Sequence, residues 1–157
     1  MSIAPVVHTV HVKQSPERAF ALFTAQMGRW WPKGKTPGRS HRDIIVEPRE
    51  GGKWMECSDD GHERQWGCVL AWEPPARLVI GWQLNAQFTY DPALLTEVEL
   101  TFTEAAEGGT LVRLEHRNLD RFGADADRMA ASVRPGWAER LRDFATHADH
   151  HAEATSS

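Results

Sequence analysis

An imidazole set among apolar side chains can act as a general base or donate to a ligand carbonyl, because its proton affinity lies near neutral pH. Of the eight histidines in this chain, His116 has the clearest setting of that kind. It closes the run 110–116 (TLVRLEH), where Val112, Leu114 and His116 alternate with Arg113 and Glu115. Strand alternation puts His116 on the apolar side. The plainer reading is a core histidine bonded to the C-terminal helix, to Tyr90 or to a buried water, since a buried ring needs partners. His41, at the start of another strand-like run, is a second polar candidate. The remaining chemistry is aromatic: seven Trp stand against one Tyr. Tryptophan covers much apolar surface and keeps one N–H donor. Trp30, Trp31, Trp54, Trp66, Trp82, Phe88, Tyr90 and Trp137 could line a ligand cavity or build a core from large side chains. Trp30 and Trp31 are adjacent and diverge by about 100° on a helix, so one of them is expected at a pocket entrance.

Other groupings carry less. Arg49, Glu56 and Glu99 become cavity charges only if strand register turns them inward. Glu97 and Glu99 read as a solvated face paired with Arg113, worth roughly 0–1 kcal/mol per exposed pair. No carboxylate pair demands acid–base work, and no G-x-S-x-G elbow is present. Gly34-Lys35-Thr36 resembles the end of a phosphate-binding loop. Arg29 stands where that pattern needs glycine, and two tryptophans and Pro32 interrupt it, so no nucleotide or other cofactor is implied. His147 and His151 are four apart, with His150 beside them, a spacing that can hold a metal. Histidine is equally favourable near the negative end of a helix, and no metal site is expected. A hairpin turning at Asp60-Gly61 puts Cys57 opposite Arg64 rather than Cys68, so both thiols are expected free and mostly buried.

The elements that must position these residues follow from periodicity. Val6–Val12 (VVHTVHV) reads as a strand. Ser15 can cap a helix that starts with Pro16 and Glu17. Phe20, Phe23, Met27, Trp30 and Trp31 form its apolar face, with a break expected near Gly28 and a stop at Pro32. Residues 32–38 (PKGKTPG) are a loop. Strands are expected at 41–47, 52–57, 65–72 and 78–84, the third ended by Pro74-Pro75. Residues 85–95 make a less regular connection. The alternation in 96–103 (TEVELTFT), followed by 110–116, gives a hairpin with one apolar and one charged side. Met129, Val133, Trp137, Leu141, Phe144 and Ala148 recur every three or four residues, so 125–148 reads as a long amphipathic helix, kinked or restarted at Pro135. Gly136 removes bulk where that helix nears the sheet or a ligand.

Composition bounds the rest. A chain of 157 residues with 25% charged side chains is one ordinary globular domain by length and makeup. A net charge of −4 argues against nucleic-acid binding. Two cysteines are too few for a disulfide scaffold or a four-thiolate zinc site. The uncharged stretch 78–90 is too short to span a bilayer. No basic segment precedes an apolar run at the N-terminus, so no signal peptide is expected and the default setting is the cytoplasm. A polar tail from 146 is expected to fray. A homodimer through a strand edge is permitted, though nothing requires it.

The order strand, helix pair, six strands, long helix resembles the helix-grip proteins of the START/Bet v 1 (SRPBCC) superfamily, and within it the group named after the activator of Hsp90 ATPase. The carrying residues span 7–148. They are Ser15-Pro16 with Phe20 and Phe23, Trp30-Trp31-Pro32, Gly51-Gly52-Lys53-Trp54, and Gly67-Cys68-Val69 leading to Pro74-Pro75-Ala76-Arg77-Leu78. Beyond these come Trp82, Thr96-Glu97-Val98, Gly109-Thr110, Glu115-His116 and Gly136-Trp137. The resemblance implies an α+β fold: a curved antiparallel sheet of about seven strands around the C-terminal helix, with two short helices after the first strand. Residues 1–150 would form that domain, and 151–157 a disordered tail. It further implies a hydrophobic or aromatic small molecule, lipids included, held between sheet and helix. Met129, Val133 and Trp137 would then join the other rings, His41 and His116 as ligand contacts. Two other readings follow from the superfamily. One is an enzyme of the polyketide cyclase, aromatase or hydrolase kind with His116 as acid–base group. The other is a co-chaperone or stress-linked interaction module with a filled interior and an exposed apolar patch.

Overall fold

The computed structural model describes residues 3–38 and 41–155, the last five as backbone. Seven antiparallel strands form one sheet in the order β1-β7-β6-β5-β4-β3-β2. They are β1 Val6–Val12, β2 His41–Val46, β3 Lys53–Ser58, β4 Glu63–Glu73, β5 Arg77–Trp82, β6 Thr96–Glu104 and β7 Thr110–Arg117. Helices α1 (Pro16–Ala25) and α2 (Met27–Trp30) follow β1, and α3 (Ala126–Thr155) ends the chain. This is the helix-grip α+β architecture. Ser15 caps α1 by accepting from the Arg18 amide, and Pro16 opens the helix.

One side of the sheet is apolar because β6 and β7 alternate faithfully. Val98, Leu100, Phe102, Val112 and Leu114 are buried beneath α3, whose own buried stripe includes Met129, Val133, Trp137, Leu141 and Phe144. The opposite side carries charge. Glu99 is bonded by Arg77 at 2.5 Å and Arg117 at 2.9 Å, which holds its carboxyl below the ordinary carboxylate range. Glu97 pairs with Arg117 at 2.9 Å, whereas Arg113, expected to pair across the hairpin, meets Glu115 on its own strand.

Register shifts interrupt the β2–β3, β3–β4 and β4–β5 pairings. Trp54 faces Gly67 and Met55 faces Gln65, so Trp66 is the extra residue of a bulge. Gly67 is required there: a Cβ on it would lie 1.6 Å from the Gly81 carbonyl oxygen. Gly28 is required in the same sense, since a Cβ would meet Asp43 Oδ1 at 2.3 Å where α2 lies on β2.

Several local expectations need correction. The break in the first helix falls at Gln26, and Gly28 lies inside α2. Helix α3 runs through Pro135 without a second start, with Val133 and Trp137 buried on either side of it. It continues to Thr155, into the segment expected as a tail; residues 156–157 lie outside those described. A 3-10 helix, Leu119–Asp125, precedes it and was not legible in the sequence. Cys57 faces Glu63, one residue from the expected Arg64, because the turn closes through Ser58 and His62. Both thiols are free; Cys57 is buried, Cys68 half-buried, and burial raises both above their ordinary range.

Gly67→Ala is expected to lower stability by about 1–3 kcal/mol or more through overpacking against the Gly81 backbone. Urea unfolding of the variant measures this.

Candidate functional site

The aromatic residues divide into two groups. Phe23, Phe102, Phe144 and Trp30 form a ring cluster with centroid separations of 5.0–6.0 Å, filling the middle of the space between sheet and α3. Trp54 adds to this filling and is fully buried. Toward one end of the grip the packing opens into a cleft. Its larger lobe, about 360 Å³, is walled by Trp31, Trp66, Trp82, Leu84 and Phe88. Lys35, Thr36, Pro37 and Gln87 supply its rim. A smaller lobe of about 160 Å³ shares Trp31, Lys35, Trp82 and Phe88, and is closed by Val133, Gly136 and Trp137 of α3. An outer hollow of about 460 Å³ adjoins them past Phe88, and Tyr90 lies there.

Trp31, Trp66, Trp82, Phe88, Val133 and Trp137 are therefore brought together. Trp30 and Trp31 both reach the interior, contrary to the divergence expected on a helix. Trp31 leaves α2 with extended backbone, and its ring lies 5.7 Å from that of Trp30. Trp31 is the one at the cleft; Trp30 is core, its indole donating to the Phe23 carbonyl at 3.2 Å. Trp54, Met129, His41 and His116 do not line the cleft. His41 is fully buried, and its Nε2 bonds the Gly28 carbonyl oxygen at 3.0 Å, tying β2 to α2. Phe88 is 40% exposed and holds a left-handed backbone (φ 56°), uncommon for a bulky residue. That conformation sets its ring 6.4 Å from Trp82, at the junction of both lobes and the outer hollow.

His116 lies one layer behind the wall, 5.2 Å from the Trp82 ring and fully buried. The Trp137 indole approaches its Nδ1 at 3.1 Å. Indole N–H only donates, so Nδ1 accepts and the ring proton sits on Nε2. Nε2 donates to Thr96 Oγ1 at 2.8 Å, and that hydroxyl donates to the Trp82 carbonyl at 3.3 Å. Both ring nitrogens are satisfied. Burial drives the pKa of His116 down to about 3, so the ring is neutral at physiological pH. This arrangement is the core histidine bonded to the C-terminal helix.

Glu56 is the polar residue whose role register decided. It shares the inward face of β3 with Trp54 and is fully buried. Its Oε1 accepts from the Trp66 indole at 3.2 Å and the Gly38 amide at 3.1 Å; its Oε2 accepts from Thr36 Oγ1 at 2.6 Å. The carboxylate thus fastens the 32–38 loop and orients Trp66, both parts of the cleft. Its period-two spacing from Trp54 was the signal in the sequence. Arg49 and Glu99 point away from the interior. His147 bonds the Gln26 side chain at 2.8 Å, and the His151 side chain lies outside the described residues. Among the described residues no cluster of His, Cys, Asp and Glu could hold a metal, and no helix is long and apolar enough to cross a membrane.

A curled sheet gripping a long helix, with an aromatic cleft left between them, defines a helix-grip protein of the ligand-binding type. The chain belongs to the activator of Hsp90 ATPase homolog 1-like protein family, which matches residues 13–149. Among solved structures it is similar to an anthrahydroquino-gamma-pyrone synthase. The two are 32% identical over 92% of this chain and 97% of that one, with a TM-score of 0.67. It is also similar to CalC, a self-sacrificing resistance protein from Micromonospora echinospora. That likeness has 29% identity, covers 94% and 96% of the two chains, and has a TM-score of 0.70. A Mesorhizobium loti protein, 24% identical over 90% and 94% with a TM-score of 0.66, shares the fold. No curated protein matches.

Two outcomes are expected. The depressed His116 pKa means the unfolded chain binds an extra proton between about pH 6.5 and pH 3. Its contribution is complete above the unfolded value and is lost as pH falls through that window, at up to about 1.4 kcal/mol per pH unit. Chemical denaturation of wild type and His116→Phe from pH 7.5 to 4 should show the variant with the shallower decline. Glu56→Ala should leave the Thr36 and Trp66 donors unpaired, at about 1–3 kcal/mol for each. The loosened loop should then be cut faster by trypsin after Lys33 and Lys35 than in wild type.

Proposed function

We propose that this protein binds a hydrophobic, aromatic small molecule in the cleft between Trp31, Trp66 and Trp82 on one side and Phe88 and the Trp137 turn of α3 on the other. The observation that carries this reading is the gathering of four tryptophans and Phe88 around one open cleft. A larger lobe of about 360 Å³ suits a small ring system, at the lower end of the roughly 300–1,000 Å³ of ligand pockets. A lining made mostly of aromatic rings favours a ring-bearing ligand over an acyl chain. Binding needs no cofactor in this reading: apolar burial provides the attraction, and Gln87, Thr36 and Lys35 at the rim orient the molecule.

Turnover in the same cleft is a second reading, favoured by the 32% identity to a synthase. His116 does not serve it, because the ring is sealed behind Trp82 and both its nitrogens are committed to Trp137 and Thr96. Any chemistry would fall to the rim groups. An interaction module finds less support. Among the described residues, the large hydrophobics that stand exposed are Val7, Leu111 and Phe88, and the last belongs to the cleft.

The test is quenching of tryptophan fluorescence by a panel of two- and three-ring aromatics. Saturable one-to-one quenching is expected. Gly136 lines the smaller lobe, and a Cβ there meets nothing within 4 Å. Gly136→Ala should retain binding while stabilising the helix by about 0.5–1 kcal/mol. Gly136→Phe should fill the lobe and weaken binding about tenfold or more. A panel with no saturable quencher rules the reading out.

A further inference from the structure

We propose that the cleft's ligand is an aromatic acid, a compact ring system whose negative charge is met by the Lys35 ammonium; this rests on the binding reading above. The argument begins with a local reversal of charge. The chain as a whole carries −4. The described residues lining the two inner lobes nonetheless include Lys35 and Arg140 and no Asp or Glu.

The two cations are not equivalent. Arg140 sits 5.9 Å from the Trp31 ring, and its guanidinium is already bonded by Asp143 at 3.0 Å and Glu139 at 3.3 Å. Lys35 lines both lobes, and its ammonium has no partner among the described residues. Its backbone is nonetheless held. The Trp31 indole donates to the Lys35 carbonyl at 3.0 Å, and neighbouring Thr36 is fastened to Glu56 at 2.6 Å. Glu56 is the buried carboxylate behind this wall, and its two oxygens are occupied by Thr36, Gly38 and Trp66. Lys35 is thus an exposed cation on an anchored backbone, at the rim of a cleft walled by indole and phenyl rings. Low-polarity walls strengthen an ion pair formed at their edge relative to bulk water. A neutral aromatic would leave that ammonium unmatched; an acid with its ring in the cleft would satisfy it.

Two probes with one ring frame separate the charge from the rings: anilinonaphthalene sulfonate and its uncharged parent, N-phenylnaphthylamine. Wild-type protein should bind the sulfonate about tenfold more tightly than the parent, a margin that shrinks as salt is added. Lys35 is exposed, so substitutions there should leave the fold intact. Lys35→Gln should bring the two affinities together by weakening the sulfonate alone, and Lys35→Glu should reverse their order. Gly136→Phe should displace both probes, which places them in the cleft. Equal binding of both probes to wild type, or a preference that survives in Lys35→Gln, overturns the acid assignment and leaves the binding reading standing. Failure of both probes to bind saturably overturns both.

Discussion

A neutral imidazole joins the long helix to the sheet. Trp137 of α3 donates to His116 of β7, and His116 donates to Thr96 of β6, whose hydroxyl closes on the Trp82 carbonyl of β5. Each donor in that chain finds an acceptor, so no polar atom of the group is left uncompensated in a low-dielectric interior. The consequence reaches the cleft. Trp137 and Trp82 form its inner wall, their rings 5.8 Å apart. The Trp137 ring is oriented by its bond to the histidine, and the Trp82 indole by donating to the Leu84 carbonyl at 2.9 Å. A protonated ring could not accept from the indole, and the link would lose its middle member.

The position of the cleft follows from how the grip is filled. Large rings occupy the centre, where α3 faces the strands directly, and close packing there leaves no room for a ligand. Space survives at one end, where β4 bulges against β3 and the chain leaves α2 for the 32–38 loop. Glu56 holds that loop against the sheet. The same carboxylate accepts from Trp66, the residue that the β4 bulge leaves without an opposite neighbour. Loop, bulge and aromatic wall thus share one anchor. The cleft is a property of the strand bulges together with a buried carboxyl group that accepts from three donors.

Much of this could be read without coordinates. The alternation of Val98, Leu100 and Phe102 against Glu97, Glu99 and Thr101 identified the buried face of β6 and located His116 among apolar neighbours. The spacing of Met129, Val133, Trp137, Leu141 and Phe144 identified the gripping face of α3, since tertiary burial selects that stripe. Ser15-Pro16 marked a helix start because capping is local chemistry. The 3-10 helix before α3 left no such mark, and the backbone at Asn118 and Gly123, both at positive φ, is not a periodic signal. The site was legible only in part. Trp66, Trp82, Phe88 and Trp137 were named from residue type, but so were Trp30 and Trp54, which the same reasoning could not separate from them.

The amino-acid sequence by itself determined which residues are buried, which elements they form and hence the helix-grip architecture. Those properties depend on patterns repeating over a few residues, and backbone geometry translates them directly into faces. Tertiary structure decided which buried groups meet. Bulges displace register by one residue, so whether Trp66 faced the cleft and met Glu56 depended on pairing between distant strands. The tautomer of His116 was likewise decided by a tryptophan 21 positions away in sequence, and its neutrality by burial. No local pattern records such a partner, because hydrogen bonding and desolvation are set by what surrounds a side chain in space.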